Sequence, residues 1–207
     1  NSPLAPIAEG IGLAANTGTL ISALLAGHGT DANAGTSLGA AITWADSANG
    51  TWKYSTDSGS TWTAMGAVTS ASARVLDANA LVRFEPNTDY SGNASLMLRA
   101  WDHSDYAVSG SLVDLTSANP TYGAYSTMTA TATIGVTPVN DAPGLTLPTT
   151  TGMFAEGGVA TTPFTTLTLS DIDSATLTGA TVTLTGLSAG DTLSFANQGG
   201  ITGSYNS

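Results

Sequence analysis

Asp171 and Asp173 alternate by two in Ser170-Asp171-Ile172-Asp173-Ser174, so in an extended strand both carboxylates point to the same side. Asn140 and Asp141 lie between two prolines in Thr137-Pro138-Val139-Asn140-Asp141-Ala142-Pro143. Asp102 and Asp105 follow the expected strand Leu96–Trp101, and Glu156 precedes Gly157 a short way past the prolines. All of these side chains are oxygen donors. Calcium takes six to eight oxygens at about 2.3–2.6 Å from carboxylates, carbonyls and water. Carboxylates gathered without a cation between them repel one another. Asp102, Asp105, Asn140, Asp141, Glu156, Asp171 and Asp173 are therefore the candidate calcium ligands. The other reading of the same residues is as turn and cap formers, since aspartate is common in loops. Glu9 and Asp31 form a weaker set, a half-site to be completed by a preceding domain.

Charge points to the same chemistry. Four basic residues face 15 acidic ones, a net charge of −11, so a cation is the natural counter-charge. Nucleic acid and anionic membranes are poor partners for a chain with so few lysines and arginines. Cysteine is absent, which excludes disulfides and thiolate zinc sites. No apolar run approaches the length of a membrane span. The chain opens directly on a linker-like Asn1-Ser2-Pro3 and reads as a piece of something longer.

Nucleophilic catalysis finds little support. There is no cysteine and no Gly-x-Ser-x-Gly elbow, and His28 and His103 are the only imidazoles. His103 between Asp102 and Asp105 lacks a positioned nucleophile and reads as a solvated loop residue. Acid pairs can serve glycosidases, and Trp44, Trp52, Trp62 and Trp101 can line a sugar platform. Strand context assigns most of these tryptophans to the core instead. Asn49-Gly50-Thr51 and Asn93-Ala94-Ser95 match the glycosylation pattern without further support.

The elements that would carry the acids are strands. Met128, Ala130, Ala132, Ile134 and Val136 alternate with threonines, the period of a half-buried strand. Pro138 ends it, because proline donates no ladder hydrogen bond. Strands are also expected at Ile42–Trp44, Leu81–Phe84 and Leu96–Trp101, and a helical turn at Leu20–Leu25. Thr51–Tyr54 and Thr61–Ala64 flank Ser55-Thr56-Asp57-Ser58-Gly59-Ser60, the pattern of a β-hairpin. That turn resembles the Asp-box of sialidases, Ser-x-Asp-x-Gly-x-Thr-Trp. A propeller needs several copies, so a self-capped hairpin is the reading adopted. Tyr90, just ahead of a long strand, suits a tyrosine corner whose hydroxyl bonds to backbone. Residues 107–124 read as a long loop or a loosely held edge hairpin. Past the prolines, strands are expected near Phe164–Leu169, at Ala180–Leu184 and from Leu193. The chain ends at Ser207, short of the roughly 100 residues a sandwich takes.

Asn1–Pro6 echoes Asn140–Pro143, and a glutamate-glycine pair and an aspartate cluster follow each, as in a tandem repeat. The hinge Val139-Asn140-Asp141-Ala142-Pro143, with Asp171-Ile172-Asp173-Ser174 downstream and Arg99-Ala100-Trp101-Asp102 upstream, resembles the cadherin-like and immunoglobulin-like tandem repeats of large bacterial surface proteins, the type I-secreted RTX-type adhesins. Ala189-Gly190-Asp191-Thr192-Leu193-Ser194-Phe195 is similar to such repeats too. No glycine-rich nonapeptide calcium repeat occurs, and Thr30-Asp31-Ala32-Asn33 stands where an Asp-x-Asp pair is usual. The resemblance implies an all-β protein of tandem immunoglobulin- or cadherin-like β-sandwiches, residues 1–139 and 140–207, the second incomplete. It implies a non-enzymatic extender module of an extracellular, cell-surface stalk, with interdomain calcium stiffening the array and neighbouring repeats as partners. Two alternatives stand beside it: a fibre subunit completed by a strand from another copy, and a carbohydrate-binding module.

Overall fold

A computed structural model describes residues 2–27, 37–116, 123–147, 153, 155–162, 167–183, 185–186, 188–197 and 202–204. His28, Asp31, Asn33, Phe164 and Leu184, all read above from the sequence, lie outside them, as do the turn signal Asn119-Pro120 and Tyr205. The chain divides into two compact units, Asn1–Asn140 and Asp141–Ser207. The described structure is almost entirely strand and loop, an all-β protein with one five-residue helix. No described helix is long and apolar enough to cross a membrane.

In the first unit the elements are β1 (Ser2–Pro3), β2 (Ile7–Ala8), β3 (Thr19–Leu20), α1 (Ile21–Leu25), β4 (Gly39–Ala45), β5 (Gly50–Ser55) and β6 (Thr63–Ala64). They continue with β7 (Ala73–Leu76), β8 (Leu81–Pro86), β9 (Gly92–Trp101), β10 (Leu112–Val113) and β11 (Ala130–Thr137). One sheet runs β1-β11-β9-β4-β7-β10, with β2 also on β11, and the other runs β3-β8-β5-β6. The larger apolar cluster among the described residues draws on both sheets. Ile42, Leu96, Leu98 and Ile134 from the first sheet meet Trp52, Val82 and Phe84 from the second. The expected alternation holds in β11, where Ala132, Ile134 and Val136 are buried. Met128 precedes the strand and is exposed. On the outer face Ser95 Oγ and Thr133 Oγ1 lie 2.9 Å apart, a cross-strand hydroxyl pair of the kind that stabilises sheets.

The expected helical turn is α1, whose Ile21, Leu24 and Leu25 fall at helical spacing and are all buried. Its first amides donate to the loop after β7, Ile21 N–H to Ala80 O at 2.9 Å and Ser22 N–H to Ala78 O at 3.0 Å. The expected hairpin forms between β5 and β6, with Tyr54 opposite Thr63.

Three features depart from simple alternation. Strand β4 carries a bulge: Ile42 faces Leu98, yet Trp44 faces the adjacent Met97. The extra residue turns Trp44 to the outside, where it is 44% exposed. A second apolar cluster covers part of the first sheet's other face, uniting Ala41, Ala73, Val75 and Trp101 with Leu115 and Ala124. The described residues of the 107–124 segment thus supply partly an edge strand, β10 on β7, and partly a cover for Trp101. Tyr90 does bond to backbone, but downstream: its hydroxyl donates to Asn93 O at 2.8 Å, while its ring meets Phe84 edge-on at 6.4 Å.

The second unit holds β12 (Gly144–Thr146) and β13 (Thr168–Ser170), paired antiparallel with Leu145 opposite Leu169. None of its described residues is fully buried. The strands expected at Ala180–Leu184 and from Leu193 are not present among the described residues, and Val182 and Phe195 are 62% and 50% exposed. Alternation creates an apolar face, but a strand exists only where a neighbour satisfies its backbone.

Candidate metal centre

The linker backbone is held by carboxylates. Strand β2 pairs parallel with β11, Ala8 opposite Thr137, and this register carries Glu9 to the residues just past Thr137. Glu9 N–H donates to Thr137 O at 2.9 Å, and Val139 N–H donates to Glu9 Oε1 at 2.6 Å. Glu9 is only 7% exposed. A buried carboxylate that accepts an amide proton makes a charge-assisted bond, which fixes the chain where it leaves the first unit.

Within the second unit, Asp141 N–H donates to Asp173 Oδ2 at 2.5 Å. Asp171 Oδ1 accepts from Asp173 N–H at 2.9 Å and from Ser174 N–H at 2.8 Å. The strict-strand geometry expected for Asp171 and Asp173 gives way to an Asx turn, because the side chain of Asp171 captures the amides ahead of it. That turn aims Asp173 back at the start of the unit. Asp141, Asp171 and Asp173 are thus tied together by side chain–backbone bonds. Asn140 is the last residue of the first unit. Glu156 is exposed in a turn closed by Gly158 N–H to Ala155 O at 2.9 Å.

Asp102 and Asp105 form a different constellation, at the end of β9. Asp102 Oδ1 accepts from Ser104 N–H at 2.8 Å and caps a turn. Asp105 Oδ1 accepts from Trp101 Nε1 at 2.8 Å, and Oδ2 accepts from the Tyr125 hydroxyl. Burial disfavours the Asp105 carboxylate, but hydrogen bonds from Tyr125, Trp101 and the Ala107 amide outweigh it and hold the carboxyl below its ordinary range. Burial, then Asp105 itself, push the Tyr125 hydroxyl up. His103 stacks on Trp101 with ring centroids 3.9 Å apart, and its Nδ1 lies 3.5 Å from Asp77 Oδ1. Both oxygens of Asp105 thus serve the cover over Trp101. Tyr125→Phe should raise the Asp105 pKa and cost about 1 kcal/mol. A carboxylate with a depressed pKa contributes stability present above its unfolded value and lost as pH falls through the folded one. The variant should therefore unfold at a higher pH on acid titration.

The Asp-box-like turn caps itself. Asp57 Oδ2 accepts from Thr61 Oγ1 at 2.6 Å, and Oδ1 from Thr61 N–H at 2.9 Å and Ser55 Oγ at 2.7 Å. These bonds, the Thr61 hydroxyl first, lower the Asp57 pKa from 3.8 to about 2. The hairpin contribution is full above the unfolded value near 3.8 and fades as pH falls through about 2. The Thr61 amide resonance should titrate with that lower midpoint, and a midpoint at or above 3.8 would contradict the geometry. Trp62 closes the turn over Arg83, its ring centroid 4.0 Å from the guanidinium carbon.

Of the four tryptophans, Trp52 and Trp101 are buried at 1% and 0%, and Trp62 covers Arg83, so three are structural. Trp44 alone stands out, beside Met97 on the outer face of the first sheet. Glu9 is the residue whose role at the linker sequence reading missed. Its only signal is the echo between the chain start and the linker, since the β2–β11 pairing joins segments far apart in sequence. No family model, curated protein or solved structure matches the chain.

Proposed function

We propose that the chain is a structural extender module of an extracellular adhesin stalk, built of immunoglobulin- or cadherin-like sandwiches and stiffened by calcium at the linker. The observation that carries this reading is the grip of carboxylates on the linker backbone. Glu9 holds Val139 N–H in the first unit, and Asp173 holds Asp141 N–H in the second. Chain connectivity alone brings these two grips within a few bonds of each other. Asp141 and Asp173, with Asn140 and Asp171 beside them in the chain, offer the hard oxygen donors calcium takes. In a chain of net charge −11, a divalent ion relieves the repulsion among them.

The mechanism is linkage. An ion that binds only the ordered linker stabilises it in proportion to the logarithm of free calcium over Kd. Extracellular modules bind at about 10⁻⁴–10⁻³ M, so calcium outside a cell would hold the linker ordered. Neighbouring repeats of the same polypeptide are the partners in this reading, and the resemblance to RTX-type adhesins supports the cell-surface assignment. Solution scattering tests it. The monomer should lengthen and narrow its distribution of sizes in millimolar calcium relative to chelator. A calcium-independent profile would overturn the reading, and a ladder of oligomers would favour the fibre subunit.

One observation favours a second reading. Trp44 is exposed on the outer face of the first sheet, opposite Met97, and an exposed aromatic ring on a sheet face suits a carbohydrate-binding module. Glycan-array binding that Trp44→Ala abolishes would establish it.

A further inference from the structure

Asn49-Gly50 is the one asparagine–glycine step in the sequence. It closes the turn between β4 and β5, and its asparagine is exposed. Asn87 N–H donates to Asn49 O at 2.9 Å, and Gly50 faces Pro86 across the ladder. In an antiparallel pair, a bond between the flanking residues marks the enclosed pair as one that exchanges no ladder bonds. Gly50 N–H is therefore left out of the β5–β8 ladder, and Pro86 has no N–H of its own to offer. An untethered backbone nitrogen, on a residue without a Cβ, adjoins an exposed carboxamide. That is the arrangement for intramolecular attack, where proximity replaces a bimolecular encounter.

Packing holds glycine at this position for a separate reason. A Cβ on residue 50 would lie 2.4 Å from Phe84 Cζ and 2.5 Å from the Glu85 carbonyl oxygen. The bulkier residues that would hinder the attack do not fit, so the fold retains the labile step.

We propose that Asn49 is a self-modification site, converting through a succinimide to aspartate and isoaspartate. Gly50 N forms a bond to Asn49 Cγ, the Cγ–Nδ2 bond breaks, and the Gly50 amide proton leaves with Nδ2 as ammonia. Water then opens the ring. Opening at the side-chain carbonyl gives aspartate, and opening at the main-chain carbonyl gives isoaspartate. Either product makes the net charge one unit more negative than −11. Isoaspartate also lengthens the main chain by one carbon beside Gly50, whose place Phe84 and Glu85 fix, so it strains the first rung of β5. Competing asparagines are less well placed. Asn16 is buried with Nδ2 on Phe84 O at 2.7 Å, and Asn93 sits in the β9 ladder opposite Gly135.

Peptide mapping by mass spectrometry tests this on the full folded chain, held at mildly alkaline pH beside an Asn49→Ser variant. The expected result is an acidic-shifted species that carries its mass change at Asn49, is mostly isoaspartate, and is lost in Asn49→Ser. An Asn49 that stays intact while Asn140 or Asn197 converts would overturn the proposal. So would conversion of Asn49 only after unfolding in denaturant.

Discussion

Arg83→Met is expected to destabilise the first unit by about 3–5 kcal/mol, the usual cost of breaking a buried charge pair from one side. Arg83 lies in β8 and is only 7% exposed. Its Nη1 donates to Asn16 O at 3.1 Å and Leu13 O at 3.3 Å, its Nη2 pairs with Glu85, and the Trp62 ring covers it. Methionine fills the space but leaves the carbonyls without their donor and removes one cation from Glu85. Burial disfavours the Glu85 carboxylate, while Lys53 and Arg83 together keep its pKa low. Lys53 remains at 2.7 Å in the variant, but it is 28% exposed, so its pairing is worth under about 1 kcal/mol. Denaturant midpoints of Arg83→Met and Lys53→Met give the comparison. A large loss for the first and a small one for the second is expected, and equal losses would contradict the buried role of Arg83.

The second large effect is conditional. Asp141→Ala should forfeit the stabilisation that calcium confers on the linker, about 2.7 kcal/mol at a hundredfold excess over Kd. In chelator the same variant should melt close to the parent, because the Asp141 amide that donates to Asp173 survives the substitution. Asp173→Ala differs in kind. It removes the acceptor of that amide, so about 1 kcal/mol should be lost even in chelator, with a further loss in calcium. Thermal melts of both variants in each condition separate ligand from scaffold. Equal losses for Asp141→Ala with and without calcium would mean that its carboxylate is only structural.

The strands of the first unit were legible because each is half-buried and long enough to alternate. Ala132, Ile134 and Val136 announce β11, and Leu96 and Leu98 announce β9. The bulge beside Trp44 was not legible, since one extra residue in a ladder leaves no mark on composition. Nor was the cover over Trp101, which depends on Leu115, Ala124 and Tyr125 returning to a sheet face from distant positions. In the second unit, Ala180–Leu184 alternates as cleanly as β11, yet its described residues form no strand. Pattern supplies a face, and pairing supplies the strand. At the candidate centre, the spacing of Asp171 and Asp173 and the polar hinge at Asn140-Asp141 drew attention to segments that hydrogen bonds join. The Asx turn that links them and the placement of Glu9 at Val139 came only from hydrogen bonding and parallel register. Asp105 looked like a ligand from its type and neighbours, while the structure gives both its oxygens to Trp101, Tyr125 and Ala107.

Titration calorimetry of the chelator-stripped chain with calcium is the most direct test of the linker as a metal centre. Saturable binding at about 10⁻⁴–10⁻³ M, abolished by Asp141→Ala and weakened by Asp173→Ala, is the predicted result. Heats no larger than dilution across that range, or an isotherm that both variants leave unchanged, would contradict it.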